Sequence, residues 1–286
     1  VTLLGPDGRT GQRVAIKRMK ISELDDWKAL ELFEREGEAL AALDHPRIPD
    51  YIDAFHDESD GGSTLHLVQE YAEGESLGEA LARGRRFTEA QALEITRQLL
   101  STLEYLHACE PPIVHRDIKP SNLILGEDGQ VWLVDFGGVQ TLLPADTGGS
   151  TVVGTSGYMP PEQLMGRASP ASDLYAVGAT LVHLLSHVHP GDMELRKMRL
   201  QFQPHVDISP RTERLLESLL DPHVEDRPAS ARQALQMLDE EPPRATRAAP
   251  STQGDEAPKT GWAGTLDKLA EIAQTATRGY HAWQAP

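Results

Sequence analysis

The sequence predicts an α+β chain in two unequal parts, a small sheet-rich part with one helix and then a larger helical part. Three observations predict it. Strand-like segments joined by polar turns cluster before residue 72. After Gly74 the apolar residues recur every three or four positions. Helix-start patterns then recur, at Thr88, Ser209 and Ser230.

The elements follow in order. Residues 12–20 read as a strand carrying Lys17. Gly5, Gly8 and Gly11 precede it and read as a turn between two strands. An amphipathic stretch over about 23–43 places Leu24, Trp27, Leu30, Phe33, Leu40 and Leu43 near helical spacing, and Pro46 and Pro49 end it. Tyr51–His56 and Leu65–Tyr71 read as strands around the polar turn Asp57–Ser63. Thr88-Glu89-Ala90-Gln91 is a capping-box pattern that opens a helix running to Ala108. Asp173–Ser186 reads as a buried helix, and Ser209-Pro210 and Ser230-Ala231-Arg232-Gln233 start two more. Residues 240–261, rich in proline, alanine and threonine, read as a linker. Beyond it Trp262, Leu266, Leu269, Ala273, Ala276, Tyr280 and Trp283 predict a short amphipathic tail helix over 262–286.

Composition narrows the function classes. The chain of 286 residues carries 27 basic and 44 acidic side chains, a net charge of −17. That surface repels nucleic-acid phosphates, and no basic stripe with aromatics offsets it, so nucleic acid is not an expected partner. No apolar run approaches the roughly 18–20 residues of a membrane helix. Cys109 is the single cysteine, which excludes an intrachain disulfide and fits a reducing, cytoplasmic setting. It reads as an inert core residue. His183, His187 and His189 lack a His-Glu-x-x-His arrangement and read as structural.

The chemistry concentrates in two motifs. His115-Arg116-Asp117-Ile118-Lys119-Pro120-Ser121-Asn122 offers a carboxylate, an ammonium and an amide from one short loop. Asp135-Phe136-Gly137 adds a second carboxylate thirteen positions after Asn122. Such a set suits phosphoryl transfer, which needs a group to orient a hydroxyl, a cation for the moving phosphoryl group and oxygen ligands for magnesium. With Val14-Ala15-Ile16-Lys17 upstream, the order and spacing resemble the eukaryotic-type protein kinase family, in its serine/threonine branch and with a bacterial-like compactness.

The resemblance implies a two-lobed kinase domain over residues 1–239, with an N-lobe to about 72 and a C-lobe from about 73, that uses ATP and Mg2+ on protein Ser/Thr hydroxyls. It implies that Lys17 reaches the ATP phosphates and pairs with a glutamate ten residues before the proline of His45-Pro46, which selects Glu36; Glu34 and Glu38 read as surface charges. It makes Asp117 the base or orienting group, Lys119 the phosphoryl cation, and Asn122 and Asp135 the magnesium ligands. Phe136 would pack to set Asp135, and Gly137 would let the backbone turn. Ala15 and Ile124 would sandwich adenine, the Glu70 carbonyl and Ala72 amide would bond it, and Gln69 would stand at the back of its pocket. Thr155 would line the acceptor site. Glu162 and Arg227 would form a buried pair, and Asp173 would brace the catalytic loop. Arg116 would receive a regulatory phosphate on Thr151, or else on Ser150.

The sequence departs from the family at one place. The glycine-rich strand-turn-strand that covers ATP phosphates does not precede Lys17, and Val1 aligns just after it. Either the sequence starts part-way into the domain, or a chain without the loop acts as a pseudokinase or nucleotide-binding scaffold through protein–protein contacts. The intact set of Lys17, Glu36, Asp117, Asn122 and Asp135 favours the first.

Overall fold

The computed structural model describes residues 2–8, 10–21, 27–58, 63–141 and 153–240. The first part is an antiparallel sheet of β1 (Thr2–Pro6), β2 (Arg13–Lys20), β3 (Tyr51–Asp57) and β4 (Thr64–Glu70), in the order β1-β2-β4-β3. Gly8 and Gly11 lie in the β1–β2 turn, where Gly11 adopts φ 70° and its N–H donates to the Asp7 carbonyl at 2.8 Å, but Gly5 belongs to β1 itself, paired with Val14. Register places Ala15 opposite Gln69 and Lys17 opposite Leu67, so these four side chains share one face. Helix α1 (Trp27–Ala41) buries Phe33, Glu36, Ala39 and Leu40 and leaves Glu34 and Glu38 in solvent. Its Gly37 lies against Leu67 of the sheet, with room for little more than van der Waals contact.

The second part opens with β5 (Glu75–Ser76) and α2 (Leu77–Ala82), whose capping box uses Ser76 and Glu79. Helix α3 (Glu89–Ala108) starts at the predicted box: Gln91 N–H donates to the Thr88 hydroxyl, and Thr88 N–H to the Gln91 side chain. Next come β6 (Ile113–Val114), β7 (Leu123–Leu125), β8 (Val131–Leu133) and β9 (Gln140–Thr141). β5-β7-β8 form one small sheet and β6-β9 another. The remaining elements are α4 (Pro161–Leu164), α5 (Pro170–Ser186), β10 (Leu195–Arg196), β11 (Arg199–Leu200), α6 (Pro210–Leu219) and α7 (Ala231–Asp239).

The helical core sits where α3 and α5 cross, joined by α6 and α7. Leu99, Leu100, Leu103, Leu106, Leu174, Leu181, Leu184, Leu216 and Leu219 are each at most 2% exposed. Burial on this scale is worth about 1.5–3 kcal/mol per leucine. Helix α5 is buried on nearly every side, as its sequence predicts. A Cβ on its Gly178 would meet Leu219 at 2.9 Å and Leu220 at 3.0 Å, so α6 packs where no side chain stands.

One expectation is refined here and another lies outside the described residues. Cys109 sits at the edge of the core: half-buried and packed against the buried cluster, it caps the C-terminus of α3, with Sγ 3.5 Å from the Tyr105 carbonyl. Burial pushes its thiol pKa up, which keeps it protonated. The predicted tail helix lies outside the described residues, as does the linker apart from Glu240. No helix among the described residues is long and apolar enough to cross a membrane.

Candidate active site

The site lies where the first sheet meets the loops of the helical part. A cleft of about 270 Å³ is lined by Leu4, Ala15 and Lys17 on one side and Asn122, Ile124 and Val134 on the other, with Gln69–Ala72 along its end. Ala15 and Ile124 both line it, with Leu4 and Val134 as further apolar neighbours. Glu70 and Ala72 line its closed side.

Lys17 is the charged centre of the cleft. Its Nζ donates to Glu36 Oε2 at 2.5 Å and to Asp135 Oδ1 at 2.8 Å. Burial alone would lower the lysine pKa, but the two carboxylates outweigh it and the net direction is up. For Glu36, 1% exposed, burial dominates and pushes the pKa up, against the pull of the ammonium. The two directions conflict over the charge of the pair, and the lysine decides it, because a cation between two carboxylates stays charged. Asp135 also feels burial, which favours its neutral form, yet the charge and hydrogen bond of Lys17 bring its pKa down.

The backbone behind these groups is strained at the chemistry. Asp135 adopts φ 65° and Arg116 φ 66°, left-handed values that cost a side-chain-bearing residue about 1–3 kcal/mol. Thus the left-handed residue of the second motif is Asp135 itself, which corrects the role given to Gly137. Gly137 is needed for space: a Cβ there would lie 3.2 Å from Lys17 Nζ, 3.3 Å from Asp135 Oδ1 and 3.4 Å from Glu36 Oε2. Phe136 is 1% exposed and meets the His115 ring edge-on at 4.9 Å, as an anchor for Asp135 should.

Asp117 gathers the second cluster. Its Oδ1 accepts from the Thr155 hydroxyl at 2.7 Å, and its Oδ2 accepts from Lys119 Nζ at 2.7 Å and Asn122 Nδ2 at 3.1 Å. Lys119 also donates to Thr155 Oγ1 at 2.7 Å. Asn122 Nδ2 donates to the Asp117 carbonyl at 2.8 Å, and among the described residues its amide oxygen has only a 3.5 Å contact from Ser121. Asn122 and Asp135 thus offer hard oxygens of the kind magnesium prefers.

Asp173, fully buried on α5, holds the loop from below. It accepts from the main-chain N–H groups of His115 and Arg116, each at 2.9 Å, and from His107 Nε2 at 2.9 Å. The Arg116 side chain donates to the Gly138 carbonyl at 2.5 Å and to Gln140 at 3.0 Å. Its proposed phosphate sites, Thr151 and Ser150, lie outside the described residues, as does Val1. Glu162 and Arg227 form a two-pronged pair at 2.7 and 3.0 Å.

Sequence reasoning missed two members. His107, in the last turn of α3, shares Asp173 with the loop. Gln163 donates one amide to both the Arg116 carbonyl at 2.6 Å and the Val153 carbonyl at 2.7 Å, tying the acceptor-side segment to the catalytic loop. Neither carries a motif; Gln163 follows Glu162 directly, and that proximity was its only signal. Of the three histidines, His183 Nδ1 lies 2.6 Å from the Tyr158 hydroxyl, and the His183 and His189 rings meet edge-on at 5.5 Å.

Comparison with known proteins agrees with this geometry. The profile of the protein kinase domain matches residues 3–238. The chain belongs to the protein kinase family. Serine/threonine-protein kinase B of Synechocystis sp. is 34% identical over 224 residues, 74% of this chain and 38% of that protein. A probable serine/threonine-protein kinase of Streptomyces coelicolor is 36% identical over 224 residues, 76% of this chain and 32% of its own length. PknA of Mycobacterium tuberculosis is 37% identical over 187 residues, 64% of this chain and 43% of its own. The chain spans less than half the length of these relatives. In kinase terms the first sheet with α1 is the N-lobe and the helical part the C-lobe.

Proposed function

We propose that this kinase-family chain transfers the γ-phosphate of ATP to serine or threonine hydroxyls of protein substrates. One observation carries the proposal: Asp117, with Lys119, Thr155 and Asn122 all bonded to it, sits beside a cleft whose Lys17 is clamped by Glu36 and Asp135. Carboxylates, ammonium groups and an amide of this kind are what phosphoryl transfer uses to orient a hydroxyl, bind magnesium and offset phosphate charge.

Asp117 Oδ1, which now accepts from Thr155, accepts from the substrate hydroxyl and aligns it. Lys119 balances charge on the phosphoryl group in flight. Lys17 binds the remaining phosphates, and Glu36 keeps it from swinging away. Asn122 and Asp135 would hold magnesium, which would supply charge neutralisation at the phosphates. Positioning and fixed charge do most of the work, because the protein forms no covalent bond to the phosphate. The intact set supports catalysis over a scaffold role. Phosphorylation at Thr151 or Ser150, read through Arg116, is the proposed switch.

The test is incubation with magnesium and γ-labelled ATP in the presence of a general protein acceptor, followed by phosphoamino-acid analysis. Label on serine or threonine supports the reading. Label confined to tyrosine, or nucleotide binding without any transfer, refutes it.

A further inference from the structure

The hairpin of β10 and β11 carries a strained, exposed tip that the catalytic machinery does not use. Leu195 pairs with Leu200 and Arg196 with Arg199, so Lys197 and Met198 form a two-residue tip. Both are left-handed, at φ 50° and 64°. Turns of this kind favour Asn-Gly, because other side chains are strained at positive φ. The fold does not need that strain, since the legs of the hairpin are anchored without it. Met193, Leu200 and Phe202 are at most 6% exposed, and Gln201 N–H donates to the Glu194 carbonyl at 2.9 Å. Strain of this kind is kept where a particular side chain is used.

The tip presents two chemistries. Met198 is 55% exposed and Leu195 62%. Exposed Lys197 has no acidic partner among the described residues, whereas Arg196 is forked to Glu194 at 2.8 and 3.1 Å and Arg199 reaches Asp221 at 2.6 Å. A free ammonium thus stands beside two exposed apolar side chains. The hairpin also adjoins the acceptor side of the active site. Thr155, bonded to Asp117, accepts the Tyr158 N–H on its carbonyl at 3.1 Å. The Tyr158 ring meets His189 edge-on at 5.2 Å, and a Cβ on Gly157 would lie 2.5 Å from the Gly191 nitrogen. The acceptor segment therefore rests on the turn at Pro190–Asp192, from which the chain enters β10.

We propose that the β10–β11 tip is a docking element for the protein substrate, with Met198 and Leu195 taking an apolar side chain and Lys197 an adjacent carboxylate. The proposal rests on the kinase reading above and adds a substrate class to it: proteins that carry an acidic and apolar segment apart from the phosphorylated residue. The unpaired Lys197 sets the charge of that segment. Contact between the acceptor segment and the turn before β10 favours a substrate over a second copy of this chain.

The test uses Lys197→Asn/Met198→Gly, which relieves the turn and so protects folding, and Lys197→Glu, which keeps Met198. Initial rates are measured with dephosphorylated casein, an acidic serine-bearing protein, and with a lysine-rich histone as a basic acceptor. For the double variant the thermal midpoint should rise by a few degrees, while kcat and the KM for ATP hold. The KM for casein should rise about three- to tenfold in both variants, the scale of losing an exposed charge pair and part of an apolar contact, and that for histone should not rise. An unchanged casein KM in both variants overturns the proposal and leaves the kinase reading standing, as does a wild type that labels histone alone. Altered sedimentation of the double variant with unchanged casein KM overturns it too, and assigns the tip to self-association. No transfer to either acceptor by the folded wild type overturns the kinase reading as well.

Discussion

Breaking the Glu162–Arg227 pair should destabilise the C-lobe far more than removing both partners together. The Arg227 side chain is 0% exposed and that of Glu162 13%. Besides its two bonds to Glu162, Arg227 donates to the main-chain carbonyls of Asp221 at 2.6 Å, Ala171 at 2.9 Å and Pro222 at 3.4 Å. Arg227→Met keeps most of the volume but leaves a half-buried carboxylate without its cation and three carbonyls without their donor. The Ser172 hydroxyl at 2.7 Å cannot replace a positive charge. Breaking a buried pair costs about 3–5 kcal/mol, and each 1 kcal/mol moves the midpoint of a domain this size by about 2–4 °C. A loss of about 6–20 °C is expected, read by differential scanning fluorimetry. The double variant Glu162→Gln/Arg227→Met has no uncompensated charge and should recover much of it, since buried pairs are worth little against neutral replacements. A single-variant loss under about 3 °C, or a double variant that loses the sum of both singles, would refute the argument.

Two further outcomes follow from the same geometry. Thr155→Val removes the hydroxyl bonded to Asp117 and Lys119 while keeping its shape; phosphate transfer should drop about ten- to a hundredfold, and Thr155→Ser should restore it, as measured by initial rates. Burial pushes His183 down to about 4, below its unfolded value of about 6.5, so the unfolded chain takes up that proton first. Stability should therefore fall as pH drops from about 6.5 and level off near 4, and His183→Gln should flatten that slope in urea titrations.

What could be read in advance depended on how local the cause was. Helix α3 was legible to within a residue because its start is written in Thr88 and Gln91 and its face in leucines of helical spacing. The same holds for α6 and α7, each opened by a serine whose hydroxyl accepts from the main chain three residues on. The hairpin of β10 and β11 escaped notice because its tip uses Lys197 and Met198 at φ 50° and 64°, where a glycine or asparagine signals such a turn. Strand β9 pairs with β6 from 26 residues further on, through Val114 and Gln140, and no pattern within either segment encodes that partner. In the site, the charged residues were legible because each bears a reactive group in a motif. Gln163 and His107 were not, since they act through main-chain and carboxylate contacts that only the folded chain brings together. The left-handed backbone at Asp135 was misassigned to Gly137 for a related reason: a glycine beside a turn invites a conformational reading, whereas this one leaves room for Lys17.

The central claim is that Asp117 orients the acceptor hydroxyl while the Lys17–Glu36–Asp135 cluster holds the nucleotide. Its most direct test compares wild type with Asp117→Asn, measuring both magnesium-ATP affinity and γ-phosphate transfer to a serine- or threonine-containing acceptor. The account predicts ATP affinity within about threefold and a transfer rate lower by about two to four orders of magnitude, the scale for an acid–base group. Equal transfer rates in the two proteins would contradict it.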